Sequence, residues 1–413
     1  MLRAMRRFGF ILAAFIIFFS QAVGAEIRLS GTDKQLSGHT FVGVRLYDLH
    51  LADTVIRDMV FEDVVAGGAR FRNIIFENCR FLRVDLSHSV FENVVFRNCA
   101  LESGKNADGT LVLTTFEGSS MKDVLFEQSR LYRVRLAELR GAGGKVSFKK
   151  MTDIVPEENY GLLLSGQELR ICVEDSQISG GKIKIHMAEK NKSFLIARNS
   201  IFSRFSVYCD AIFMQNCTVA DSRLGAAELV VRDSSLSGAE VLSTVKGYLV
   251  HNLYSTGKGG AGNSAHALGK GKIYVLHRDP APAHLSLGGG NLEARDITLA
   301  SPVLGSKAGE VTRRLDLRNV EIKGGSWRYL RLLSGQWENV VIEPPVIVDK
   351  SRLENVAAYN LQFPQGEPWS EVEESEGPLY FGVTRRPTPF AWEEVHVPEP
   401  EDWGIAWRVI GGR

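Results

Sequence analysis

The chain has 413 residues with 49 Lys plus Arg against 48 Asp plus Glu, a formal net charge of +1, and 44% hydrophobic residues. That balance excludes a disordered or collagen-like chain and a surface of one sign over the whole molecule, leaving only local patches for a polyanion partner. With 40 Gly against 13 Pro, tight turns are abundant and Pro-rich linkers are not, so internal repeats come first.

Arg3, Arg6 and Arg7 precede an apolar run from Phe8 to Phe19, and Val23 and Ala25 supply small residues before Glu26. This three-part pattern predicts a signal peptide over residues 1–25, a mature chain from Glu26, and an exported protein, periplasmic or extracellular. The run is short beside the roughly 20 residues that span hydrocarbon, so no membrane span is expected after cleavage. Five Cys is an odd and sparse set, which argues against a disulfide framework and leaves at least one thiol free or paired between chains.

After an N-terminal cap over residues 26–40, a large apolar residue recurs at every fifth position. The series is Phe41, Leu46, Leu51, Ile56, Phe61, then Phe71, Phe76, Phe81, Leu86, Phe91, Phe96 and Leu101, resuming in phase at Leu111, Phe116, Met121, Phe126, Leu131 and Leu136. Two residues before most centres sits a small or β-branched residue, among them Val44, Thr54, Ala69, Cys79, Ser89 and Cys99. Period five fits neither the helix repeat of 3.6 nor the strand repeat of 2.

Residues 41–140 therefore resemble the pentapeptide-repeat family. The resemblance implies a right-handed square β-helix with one corner per five residues and one coil per 20. Residues 20 apart should then stack: Phe76, Phe96 and Phe116 in one column, Phe41, Phe61 and Phe81 in another, Asn73 over Asn93, and Asn78 over Asn98. Cys79 and Cys99 would lie about 4.8 Å apart with parallel side chains, wider than the ~3.8 Å between Cβ atoms of a disulfide, so two core thiols are expected.

Over residues 141–363 a looser repeat aligns on an Asn or Asp after a short strand: Asp175, Asn199, Asn216, Asp233, Asn252, Asp279, Asp296, Asn319, Asn339 and Asn355. The spacing predicts an irregular right-handed parallel β-helix continuing the first, an all-β solenoid throughout, with the anchor at a buried turn. The Gly-rich residues 256–272 are expected to leave the coil as a surface loop, since no Gly-Lys-Ser/Thr closes a phosphate loop. Residues 364–413, rich in Pro and Trp, leave the repeat and either cap the solenoid or dock a partner.

The position before each anchor reads Arg198, Gln215, Arg232, His251, Arg278, Arg295 and Arg318, a basic stripe. Like charges about 5 Å apart repel, so the stripe either meets carboxylates or takes an acidic polysaccharide. Three before the anchor the series is Cys172, Ile196, Phe213, Val230, Leu249 and Leu276, then Glu293 and Asp316. An outward apolar column must be covered by the chain's own tail or loop, by a protein partner, or by self-association. Glu293, Arg295, Asp316 and Arg318 form the compact charged cluster that acid/base chemistry would need, and stacked ion pairs account for it equally well.

No metal-ligand spacing, cofactor motif or nucleophile elbow is present. Residues 41–140 hold 13 basic and 14 acidic residues, which disfavours mimicry of nucleic acid and a nucleic-acid partner. The expectation is an exported non-enzymatic scaffold for protein or envelope interactions, with binding or processing of an anionic polysaccharide as the alternative.

Overall fold

A computed structural model describes residues 30–31, 35–46, 49–140, 144–151, 163–167, 169–180, 182–185, 193–255, 265–269, 272–276, 282–283, 286–287, 290–300, 302–305, 312–328, 330–349, 351–366, 369–371 and 380–403. The expected signal peptide, part of the expected cap and Arg278 lie outside them. The chain divides into two compact units, Met1–Leu195 with Arg408–Arg413, and Ile196–Trp407. Each is a parallel β-solenoid.

In the first unit the strands His50–Arg57, Arg70–Glu77, Val90–Arg97, Ser120–Glu127, Lys145–Lys149 and Arg170–Glu174 lie in parallel register. A second face stacks Thr40–Val42, Val60–Glu62, Arg80–Leu82, Ala100–Glu102 and Arg130–Tyr132. The period-five residues point inward, and Phe76, Phe96, Phe126 and Phe148 form a column of near-parallel rings 5.0, 4.9 and 5.4 Å apart. Phe41, Phe61 and Phe81 form another, as expected. Burying each such ring is worth on the order of 1.5–3 kcal/mol.

Phe116 does not join the Phe96 column. Gly104–Lys105 and Leu111–Val112 form an antiparallel excursion from the coil. Phe96 therefore pairs with Phe126, while Thr115 pairs with Asp85 and places Phe116 next to Leu86 in the stack. The step between stacked residues is 30 there rather than 20. The ten extra residues equal two corners, so period five passes through them with its phase intact.

The corners explain the two recurrent residue types. Two residues after most centres φ is positive, as at Asp53, Asn73, Asn78, Asn93, Asn98 and Asp123. L-residues enter this left-handed region at a cost that Asn and Asp bear most easily. These side chains are exposed, and they ladder: Asn73 Nδ2 donates to Asp53 Oδ1 at 2.7 Å, Asn93 to Asn73 at 3.0 Å, Asn78 to Asp58 at 3.1 Å and Asn98 to Asn78 at 2.7 Å. The next residue points inward: after Asn73, Asn93 and Asp123 it is the buried apolar Ile74, Val94 or Val124, whereas after Asn78, His88, Asn98 and Gln128 it is a small Ser or Cys whose hydroxyl or thiol serves the neighbouring coil. Ser129 Oγ accepts the Cys99 N–H at 3.0 Å and donates toward Phe96 O at 3.0 Å, and Ser119 does the same for Ser89 and Leu86. Cys79 and Cys99 thiols donate to Ile56 O and Phe76 O. All five Cys are buried and none is in a disulfide, and burial pushes the Cys172 and Cys217 thiols up to about 11.

Outward charges alternate along one column of the first unit: Arg57, Glu77, Arg97, Glu127, Lys149 and Glu174 are register partners. Ion pairs join Arg57 to Glu77 at 2.5 Å, Arg97 to Glu127 at 2.9 Å and Lys149 to Glu174 at 3.5 Å. The hydrogen bond from Arg57 holds the Glu77 carboxyl below its usual range.

In the second unit Ser206–Gln215, Arg223–Arg232, Ala239–Val250, Lys272–Leu276, Gly290–Ala300, Thr312–Arg328, Arg331–Asp349, Arg352–Gln362 and Tyr380–Arg385 pair in parallel. The anchors Asn199, Asn216, Asp233, Asp296, Asn319 and Asn339 have positive φ, but they lie toward solvent rather than at a buried turn. Their turn sets the backbone, and the amides ladder at the surface, Asn319 to Asp296 at 2.7 Å and Asn339 to Asn319 at 2.9 Å. Asn252 is not an anchor: His251 carries the positive φ, and Asn252 is a buried corner residue accepting the Ser234 N–H and donating to Val231 O. Asn360 rather than Asn355 takes the last such turn, and Asp279 lies outside the described residues.

Two loop expectations are also corrected. Ala265–Gly269, inside the expected Gly-rich loop, is a strand paired with Ala239–Val250. Trp369–Glu371 and Tyr380–Arg385, in the expected tail, still add to the ladder. From Arg386 to Trp403 no residue is in a strand. Among the described residues no helix is long and apolar enough to cross a membrane.

Ser129→Ala should strand the buried Cys99 N–H and lower stability by about 1–3 kcal/mol in urea unfolding, while Ser120→Ala, half-buried nearby, should change it by less than about 0.5 kcal/mol. Equal losses would show that the hydroxyl does no more than fill space. Because the folded-state Glu77 pKa is depressed, its contribution is present above the unfolded value of about 4.3 and lost as pH falls through the folded one. Glu77→Gln should cost less than about 1 kcal/mol at neutral pH, with the difference from the parent chain closing in acid and in high salt.

Candidate functional site

The stripe lies one residue before the positive-φ turn, where side chains leave the sheet. Register places Gln215, Arg232, Val250, Leu276, Arg295, Arg318 and Glu338 in one column. His251 is therefore not in it. Because His251 itself makes the turn, Val250 takes the stripe position on its coil, and the His251 ring lies 3.6 Å from Asp233. On the next coil register puts Leu276, two residues before the expected Arg278, at that position. Arg198 is half-buried beside Asn199, and Arg278 lies outside the described residues. The structure thus brings together Arg232, Arg295 and Arg318, interrupted by two apolar residues and ended by a carboxylate.

The neighbouring column moves as well, by one residue at Tyr248 and by two at Tyr274. It runs Phe213, Val230, Tyr248, Tyr274, Glu293, Asp316 and Gln336, with Tyr248 and Tyr274 in place of Leu249 and Leu276. Tyr248 and Tyr274 stack with ring centroids 5.2 Å apart, and burial pushes the Tyr248 phenol up. Ile196, Phe213, Val230 and Leu249 are each at most 1% exposed. They are buried within the chain rather than exposed.

Residues 386–403 cross the stripe as an extended strap. Arg386 N–H donates to Ala358 O at 2.7 Å where the strap leaves the last strand. Glu338, 6% exposed, accepts the Phe390 N–H at 2.8 Å and the Trp392 Nε1–H at 3.0 Å through one oxygen, and its other oxygen lies 3.7 Å from Arg318. The Trp392 ring takes the guanidinium groups of Arg295 at 5.2 Å and Arg318 at 5.8 Å, a cation–π clamp. Arg295 also donates to Glu393 O at 2.9 Å. Farther along, Glu399 pairs with Arg232, whose guanidinium lies 5.0 Å over Phe213, and the Trp403 ring meets Phe213 edge-on at 6.4 Å.

Strap order runs opposite to coil order. From Glu338 to Phe213 the groove spans six strand steps, about 29 Å at ~4.8 Å each. Thirteen residues of extended chain reach roughly 40 Å at ~3.1 Å each, and the 3-10 turn at Pro400–Trp403 takes up part of the excess.

The acidic cluster lies beneath. Glu293 and Asp316, register partners and each 2% exposed, are held by Lys272 at 2.6 Å and Arg295, and by Arg314 at 2.6 Å. Burial raises the Asp316 carboxyl, with Arg314 opposing it, and Lys272 is raised despite its burial because Glu293 holds its charge. Arg318 pairs with Glu338 rather than Asp316. The arrangement can hold an extended aromatic and acidic peptide. Glu338, Phe390 and Trp392 were not singled out from sequence, and the signal available was a Trp-rich, Glu-rich tail following a basic stripe.

Residues 60–102 match the model of pentapeptide repeats in eight copies. No curated protein matches the chain. Among solved structures, bacteriophage CBA120 tailspike protein 3 aligns at 15% identity over 86% of this chain and 52% of its own, with a TM-score of 0.18. The chain thus spans about half the length of that solved chain. The eight-copy match falls on the coils where Phe61, Phe81 and Leu101 stack and where Asn73 and Asn93 ladder, so residues 60–102 are pentapeptide repeats within a parallel β-solenoid.

Proposed function

We propose that the chain is an exported, non-enzymatic β-helical scaffold for interactions with proteins or other envelope components. The observation that carries this reading is the engagement of the one compact carboxylate cluster among the described residues. Glu293 and Asp316 are buried in ion pairs, and Glu338 is committed to the strap backbone and to Trp392. An acid or base has to reach the proton it transfers, and these groups face their own chain instead. The stripe arginines likewise meet carboxylates and an indole within the molecule, which supports structural pairing over a polysaccharide groove.

Export rests on the pattern of residues 1–25. Fusing them to a reporter that is active only after translocation should give signal, and the released mature chain should begin at Glu26 by N-terminal sequencing. A silent reporter would place the scaffold inside the cell. The scaffold reading is tested by incubating the full chain with acidic and neutral polysaccharides at low and moderate salt while assaying new reducing ends. No cleavage and no salt-sensitive binding are expected. Cleavage, or binding that weakens in Arg232→Gln and Arg295→Gln, would overturn it in favour of an anionic-polysaccharide protein.

A further inference from the structure

We propose that the strap groove of the second unit is an interaction surface for a second copy of this chain, which seats its own residues 390–403 there in trans.

The strap makes no ladder. Between Pro387 and Glu399 no residue is in a strand, and the groove holds it through side chains at separate points: Glu338 on the Phe390 and Trp392 donors, Arg295 and Arg318 on the Trp392 ring, Arg232 on Glu399, and Phe213 on Trp403. Lifting it breaks discrete contacts without dismantling a sheet. Phe390 and Pro400 are buried, but the side chains between them are marginal to the core: Trp392 is half-buried, Glu399 is 42% exposed, and Glu393 and Glu394 are exposed.

Every copy carries both halves of this complementarity, the cationic and aromatic groove and the aromatic and acidic strap. An element held from Phe390 onward by groove side chains, with no strand ladder, makes the same contacts from a neighbouring molecule, which is the physical basis of element exchange between protomers. In cis the strap sees its groove at an effective concentration of roughly millimolar order, so the closed monomer dominates at micromolar protein. The exchanged form becomes dominant when each partner has lost a different half.

Strap exchange goes beyond the scaffold reading and needs no foreign partner, so polysaccharide binding and strap exchange succeed or fail independently. The test uses two full-length variants. Trp392→Ala/Glu399→Ala spoils the strap and leaves the groove, while Arg232→Ala/Glu338→Ala spoils the groove and leaves the strap. Each alone should be monomeric by light scattering on a sizing column. Their equimolar mixture should give a species of twice the mass of one chain, and mixing either variant with itself should not. A labelled peptide of residues 386–403 should bind the strap variant at least tenfold more tightly than the parent chain, and the groove variant should not bind it. This second measurement decides the matter if the groove variant fails to fold, and the single variant Glu399→Gln, changed at a partly exposed side chain, replaces the strap variant if that one fails. Peptide binding with a strictly monomeric mixture of folded variants would overturn the second copy as occupant. No peptide binding to a natively folded strap variant would overturn the groove itself.

Discussion

The structure depends on one constraint: each coil of a parallel stack must offer the next coil its backbone groups in the same place. On the flat sides the ladder does this. At the corners the chain turns through positive φ, and the following N–H points inward, off the ladder. A buried N–H without a partner costs about as much as a lost hydrogen bond, so a side chain from the neighbouring coil has to reach it. Ser89, Ser119 and Ser129 do so in the first unit, and Ser222, Ser234, Asn252 and Ser351 in the second. The requirement is for an oxygen small enough to fit inside a corner, and it limits those columns to a few residue types.

The same stacking dictates what stands outside. At about 4.8 Å between strands, identical groups must either attract or be screened. Phe rings stack and Asn amides donate along their column, but like charges repel. Hence the alternation from Arg57 to Glu174. The second unit breaks replication in its stripe, where Arg232 is followed by Val250 and Leu276, then Arg295, Arg318 and Glu338. A mixed column needs a mixed cover. The strap provides an indole for two guanidinium groups, a carboxylate for a third, and backbone and indole N–H groups for the terminal glutamate. Burying the Glu338 charge is tolerated because two donors and a nearby arginine offset its lost hydration.

How far sequence could be read follows from where the physics is local. The inward Phe columns and the Asn ladders were legible because they repeat with the coil. Phe116 was misplaced because an excursion of two corners leaves period five unchanged while adding half a coil, a shift that periodicity cannot register. The stripe was displaced at two coils, and at the first of them the reason is that Asn252, the better left-handed residue, stands next to His251, which makes the turn. Occupying the corner amide position was worth more to Asn252, which serves both Ser234 and Val231, than adopting the turn. Left-handed corners at Arg83, His88 and Arg133 carry no composition signal at all. The strap was invisible for another reason: its contacts join residues such as Phe390 and Glu338 that are distant in sequence and belong to no repeat.

This division between columns and cover bears on function. A catalytic groove on a solenoid would keep its charged column open and its carboxylates free to exchange protons. Here Glu293 and Asp316 are buried in ion pairs, and Glu338 is bonded to a strap that joins no strand ladder. Fold stability therefore resides in the coils, through ladders, rings and corner hydroxyls, whereas occupancy of the groove depends on a short set of aromatic and ionic contacts. Substituting Trp392 or Glu399 alters the second without entering the first. A surface whose occupant can change while its frame stays fixed has the physical character of an interaction scaffold, and the frame's contribution is to hold Arg232, Arg295, Arg318 and Glu338 at strand spacing without any of them having to hold the fold.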